Sequence, residues 1–208
     1  MTSTRFVVAA IALMASAPLA MAQESARVSV APDSKLWIEG TSNLHGWSCK
    51  ADKMDASIEF DKAAVAALNQ APPKSLKRVD VKVPVKALKC GHGAMDDNLY
   101  KALNADATPE ISYIMASFEA TADAGDSFTI KTVGTLKING KENRIAMDVV
   151  ANRLADGSLK ATGMVPIKMT DYGIKPPTAI FGRLKTGDEV KVNFELTVGG
   201  RAIAEAIR

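Results

Sequence analysis

From Leu159 to Met169 one parity holds without a break over eleven residues, Leu159, Ala161, Gly163, Val165, Ile167 and Met169. This is the spacing of a strand with one face toward a core and one toward water. The pattern recurs. Val79, Val81, Val83 and Val85 alternate with Arg78, Asp80 and Lys82. Phe128, Ile130, Leu136 and Ile138 mark another strand, followed by Asn139-Gly140, a strong signal for a tight hairpin, and by a partner carrying Ile145, Met147 and Val149. Asp156-Gly157 makes a second turn, and the last strand carries Val190, Val192, Phe194, Leu196 and Val198. Long strands joined by short turns predict a mainly β meander, because a doubly wound sheet needs a helix between consecutive strands. Closure into a barrel removes exposed edges, and a two-sheet sandwich also satisfies the pattern, so periodicity leaves both open.

Two short helices are expected between strands. One runs through the alanine-rich segment 62–68, with Asp61 as its cap and Pro72-Pro73 after it; the other runs from Met95 to Leu103 with Asp96 and Asp97 in its first turn. Met95, Leu99 and Leu103 share a face that is expected to pack on the sheet and plug one end.

The start of the chain reads as an address. Arg5 precedes an apolar run from Phe6 to Ala17, and Ala20-Met21-Ala22 offers small residues at the positions a signal peptidase reads. Residues 1–22 are therefore expected to be a secretory signal peptide, and 23–208 a single domain in the periplasm. The run is shorter than the ~20 residues that span a bilayer, so no transmembrane segment is expected in the mature chain. Removing the leader leaves 25 basic residues against 23 acidic ones, a net +2, and they are spread along the chain. That balance argues against nucleic acid or an anionic bilayer as the main partner. Whether two copies pair as a homodimer stays open.

Cys49 and Cys90 are expected to form a disulfide, because an even cysteine count in an exported chain points there first. Their alternative is a metal or redox role together with His45 and His92, a Cys₂His₂ constellation of the zinc type. A straight strand places His45 and Cys49 ~13 Å apart, too far for one metal without a bend, and oxidation removes both thiolates. No metal and no cofactor is expected. The chain has no Gly-x-Ser-x-Gly elbow, no His-Glu-x-x-His, no Cys-x-x-Cys and no glycine-rich phosphate loop, so it is read as a non-enzyme. An enzyme acting on a bound lipid is the remaining alternative, without a catalytic residue to name.

Five segments carry a family resemblance. Gly40-Thr41-Ser42-Asn43-Leu44-His45-Gly46-Trp47, the stretch from Leu103 through Pro109-Glu110-Ile111, and Gly134-Thr135-Leu136-Lys137-Ile138-Asn139-Gly140 resemble the YceI-like family. So do Thr170-Asp171-Tyr172-Gly173-Ile174 before a Pro-Pro pair and the closing run from Gly182 to Val190. The resemblance spans roughly residues 26–199. It implies an eight-stranded, antiparallel, lipocalin-like barrel in the periplasm that carries a polyisoprenoid chain, such as a quinone or an isoprenyl phosphate, in its lumen. The two cysteines depart from the plainer members of the family.

Composition is consistent with a hollow interior. Only 5% of residues are aromatic, and the inward parity is mostly aliphatic, which leaves room for a slot where bulky residues would fill it. The lumen is expected to be lined by Val81, Val83, Ile130, Leu136, Ile145, Met147, Val149, Val165, Ile167, Val192, Phe194 and Leu196. Tyr172 and Arg183, with Lys175 nearby, are the candidates to hold a polar head group, the alternative being a solvated loop. Trp37 and Trp47 are expected to anchor the core.

Overall fold

The structure, a computed structural model, describes residues 25–61, 76–123, 125–179 and 181–199. The expected leader, the alanine-rich helix at 62–68 and the tail 200–208 lie outside the described residues. Within them, twelve strands alternate with one helix and two 3-10 turns. The strands are β1 (Ser25–Ser29), β2 (Lys35–Ser42), β3 (Gly46–Ala51), β4 (Asp55–Asp61), β5 (Leu76–Pro84) and β6 (Leu88–Lys89), then β7 (Glu110–Ala122), β8 (Ser127–Ile138), β9 (Lys141–Arg153), β10 (Leu159–Lys168), β11 (Thr178–Ala179) and β12 (Leu184–Val198). Helix α1 covers Gly93–Ala102, and the 3-10 turns cover Val85–Ala87 and Met169–Tyr172.

The pairing is antiparallel and follows one path, β1-β4-β5-β7-β8-β9-β10-β12-β2-β3-β6, with β11 pairing β12 off that path. The sheet curls strongly, since Ile38 of β2, Val81 of β5 and Met147 of β9 line one common cavity. The expectation of eight strands in a closed ring is corrected in count and in closure. Eight strands have seven or more residues, while β1, β3, β6 and β11 are shorter, and among the described residues no ladder joins β1 to β6. The cause is local. The chain leaves β5 through Val85–Ala87, with Val85 and Ala87 buried, and resumes as β6 against β3. The last strand of the sheet is thus the continuation of its third, and the chain itself ties β6 back to β5 on the other side of the sheet. Past β1, the Ala31 amide donates to the Thr197 carbonyl at 2.6 Å, drawing that margin toward β12.

Turn chemistry sets the register of the longest hairpin. Asn139 and Gly140 both take left-handed φ, 50° and 75°, which a two-residue turn between right-twisting strands requires, and Ile138 pairs Lys141 across it. Helix α1 starts at Gly93, two residues before the expected Met95. Asp96 accounts for the shift: its carboxylate accepts the Cys90 amide at 2.7 Å and fixes the entry to the helix. Tyr100 pins the helix to the sheet, donating to the carbonyls of Lys86 and Leu88. Thr108 holds its far end by donating to the carbonyls of Leu103 and Asn104.

Apolar side chains gather in two clusters, one at each end of the long strands. The first joins Val28, Phe60, Leu76, Phe128, Leu159 and Val198; the second joins Val83, Leu88, Leu103, Leu136, Tyr172 and Ile174. Met95 and Leu99 of α1 face the space beneath the second, and Leu103 is buried in it.

Candidate functional site: an apolar lumen

Between the two clusters lies a cavity of about 370 Å³, within the ~300–1,000 Å³ usual for small-molecule sites. All twelve positions read from the sequence as lumen-facing are on its wall, and cross-strand pairing explains why they meet. Ile130 opposes Val149, Thr132 opposes Met147, Val165 opposes Val192 and Ala161 opposes Leu196, so each inward row continues onto the next strand.

Other wall residues escaped the sequence reading. On β7, Ile111, Tyr113 and Met115 line the cavity, but the ladder slips between Met115 and Ser117, and Phe118 and Ala120 then pack inward on the opposite parity. A bulge of this kind breaks the period-two signal in mid-strand. Leu36 and Ile38 of β2 were hidden differently, because their row continues into Gly40 and Ser42 and loses its apolar mark.

Three glycines on inward parity leave space for aromatic rings lying along the wall. Trp47 covers Gly40 and Phe194 covers Gly163, each from the directly opposed position, and the Tyr113 ring lies where a Cβ on Gly134 would stand, 2.5 Å away. Trp47, Phe194 and Tyr113 are wall residues and the glycines beneath them are not. Each ring occupies the space that a side chain on the glycine would take, as in aromatic rescue of strand glycines. Trp37 behaves differently from the expectation of a core anchor. It points to the outer face, half-buried, and its Nε1 donates to Glu39 at 3.0 Å. Its neighbours across the ladder are Lys50 and Asn193, so its parity is the polar one.

Among the described residues the wall carries no Lys, Arg, Asp or Glu. Its polar atoms are few. The Tyr113 hydroxyl donates to Thr132 Oγ1 at 3.4 Å, and Thr132 donates onward to the Met147 carbonyl at 3.3 Å. Tyr172 is 2% exposed and its hydroxyl has no hydrogen-bond partner among the described residues. The neighbouring Asn143 amide donates instead to the Asp171 carbonyl at 3.1 Å. Burial pushes both phenols above their usual range, opposed at Tyr113 by its hydrogen bond with Thr132 and reinforced at Tyr172 by the nearby Asp171 charge, so both keep their protons at neutral pH. Of the head-group candidates, Tyr172 is therefore inside the cavity. Arg183 is on the rim, its side chain exposed and its carbonyl accepting the Asn43 amide at 2.8 Å, and Lys175 is exposed as well.

Cys49 of β3 and Cys90, just before α1, are joined in a disulfide and both touch the cavity. The bond clips the helix onto the sheet and leaves no thiolate for a zinc site. His45 lines the cavity mouth with Nδ1 2.8 Å from the Gly46 carbonyl, while His92 precedes the first turn of α1. Among the described residues no group of three or more His, Cys, Asp or Glu is placed to hold a metal ion, and no helix is long and apolar enough to cross a membrane. The arrangement favours burial of apolar surface over any charged chemistry.

Solved structures share this fold. BcnA from Burkholderia cenocepacia superposes with a TM-score of 0.63 at 18% identity, covering 81% of this chain and 99% of that one. A polyisoprenoid binding domain from Saccharophagus degradans, implicated in plant cell wall breakdown, gives 0.62 at 13% identity over 85% of this chain and 99% of that one. The YceI protein of Campylobacter jejuni gives 0.55 at 20% identity over 73% and 83%. No curated protein matches the chain. The sequence pattern of the YceI-like domain matches residues 24–198, most of the chain, and on that match the chain belongs to the YceI-like family.

Proposed function

We propose that the protein is a periplasmic carrier that holds a long isoprenoid-type lipid in its lumen and performs no covalent step on it. The observation that supports this most is the open, charge-free cavity running between the two apolar clusters. The polyisoprenoid binding of the Saccharophagus domain adds to it. In this reading the curled sheet works as a lipocalin-like half-barrel around the lipid, with the β5-to-β6 passage linking its two sides. Burying one five-carbon unit stabilises the complex by at most ~4 kcal/mol at ~0.8 kcal/mol per CH₂, so three units outweigh association costs of roughly 4–15 kcal/mol in favourable cases. Chain length then sets affinity. A quinone-type oxygen would meet the Tyr172 hydroxyl, whereas a phosphate would find no cation on the wall and would remain at the rim beside Arg183.

Native purification, organic extraction and mass spectrometry test the proposal. A prenyl-chain lipid in stoichiometric amount is the expected result. Protein that is repeatedly empty, and unable to take up a prenyl lipid from detergent, overturns it.

A further inference from the structure

The two most exposed large apolar side chains among the described residues are Phe181, at 106%, and Leu44, at 69%. Both lie on one rim of the cavity. Thr178 pairs Lys185 and Ala179 pairs Leu184, which makes a short hairpin with Phe181 at its tip. The loop that carries Leu44 is stitched to this hairpin three times: the Asn43 amide donates to the Lys185 carbonyl, the Asn43 side chain donates to the Arg183 carbonyl, and the Lys185 amide donates back to Asn43 Oδ1. Ser42 and His45 on one side, and Thr178 and Leu184 on the other, line the cavity directly beneath.

The tip has the wrong residue for its backbone. Phe181 and Gly182 take φ of 52° and 82°, a turn that selects Asn-Gly, and a bulky ring in the left-handed region is disfavoured. The Asn139-Gly140 turn shows what this chain uses where only the turn matters. At the rim a disfavoured backbone is kept and its ring stands in solvent, a conflict of local preference and burial that marks function. Arg183 and Lys185 follow the ring on the same hairpin, exposed and with no salt bridge among the described residues.

We infer that this rim docks on the surface of an anionic phospholipid bilayer, with Phe181 and Leu44 entering the interface and Arg183 and Lys185 meeting the head groups. The near-neutral, dispersed charge of the whole chain argues against a global attraction to an anionic surface, so the attraction is local, from Arg183 and Lys185 two residues apart on this rim. The inference rests on the carrier reading and adds the route of loading: the cavity mouth opens toward the membrane from which a lipid would enter.

Flotation with vesicles tests it, using equal parts phosphatidylethanolamine and phosphatidylglycerol against phosphatidylcholine alone. The protein is expected to float with the first and far less with the second. Phe181→Asn suits the left-handed turn, so its thermal midpoint should be no lower, while partitioning falls about tenfold or more. Arg183→Gln with Lys185→Gln should remove the preference for the anionic vesicles. Unchanged flotation of a folded Phe181→Asn protein overturns the inference, as does self-association that this variant abolishes without any vesicle binding. Uptake of a prenyl lipid from detergent is measured in parallel: normal uptake without flotation overturns docking alone, and flotation without uptake overturns the carrier reading alone.

Discussion

The two ends of the long strands are built from the same alternating residues, yet they treat apolar side chains in opposite ways. At the first cluster, Phe60, Phe128 and Val198 are each no more than 5% exposed and belong to one packed cluster drawn from β4, β8 and β12. At the rim above the second cluster, Leu44 and Phe181 stand in solvent on loops whose backbone is firmly hydrogen-bonded. Packing therefore fails to account for the rim residues, whereas it accounts fully for the first cluster. On the docking proposal the rim residues are held ready for a bilayer, whereas the residues of the first cluster are placed by the fold itself.

A charge placed at each end breaks or sharpens this contrast most strongly. Leu196 is buried opposite Ala161, so Leu196→Arg leaves an unpaired charge inside and should destabilise by about 4 kcal/mol or more, with loss of bound lipid. Leu44→Arg should stay within about 0.5 kcal/mol of the parent, since the side chain already sits in water. Urea unfolding of the two variants gives both numbers. A folded Leu196→Arg protein with full lipid content would show that the inner and outer faces have been exchanged.

Next in size is the staple. Cys49 and Cys90 are 41 residues apart, and on the chain-entropy account the bond is worth ~4 kcal/mol. Cys49→Ala should lower stability by up to that amount, and reductant should reproduce the effect in the parent. Because the bond holds the approach to α1, loss of lipid retention should accompany the loss of stability. An unchanged melting curve under reduction would reject the staple as a stabilising element.

These effects fall on features that differ in how far the sequence exposed them. The rows through Val165, Val192 and Leu196, and the Asn139-Gly140 turn, could be read directly, since unbroken parity and turn chemistry are local signals. The wall contributed by β7 could not, because the slip after Met115 moves Phe118 and Ala120 onto the other parity. Nor could the strand count, which depends on whether the buried turn at Val85–Ala87 ends β5 or bends it. Tyr172 and Arg183 are close in sequence, but their separation into wall and rim is tertiary, made by the 3-10 turn at Met169–Tyr172 and the hairpin of β11 with β12. Trp37 was misplaced because a large aromatic side chain signals burial by type, while its parity signals the outer face.

A smaller effect probes the wall between the two ends. Gly163→Ala puts a methyl group where the Phe194 ring now lies, so the ring must move toward the lumen. Overpacking of this kind costs about 1–3 kcal/mol, and the bore narrows at that level. Adding Phe194→Leu to Gly163→Ala should restore lipid uptake. If the single variant takes up branched prenyl chains as the parent does, ring placement does not set the bore.

The smallest effect concerns the seam that orders the rim. Asp188, in the irregular start of β12, accepts the Thr170 amide at 2.9 Å and the Thr170 hydroxyl at 2.7 Å, tying the 3-10 turn that carries Tyr172 to the strand. These hydrogen bonds favour the charged carboxylate and hold its pKa below the ordinary value, with Lys168 assisting. A depressed folded pKa contributes stability that is fully present above the unfolded carboxylate value and is lost as pH falls through the folded one. Asp188→Asn keeps one acceptor but cannot titrate, so its thermal midpoint should sit slightly below the parent at neutral pH and converge on it in acid. A parent and variant that stay parallel down the acid limb would mean that Thr170 gains nothing from the charge, and that the rim is ordered by Asn43 and the hairpin instead.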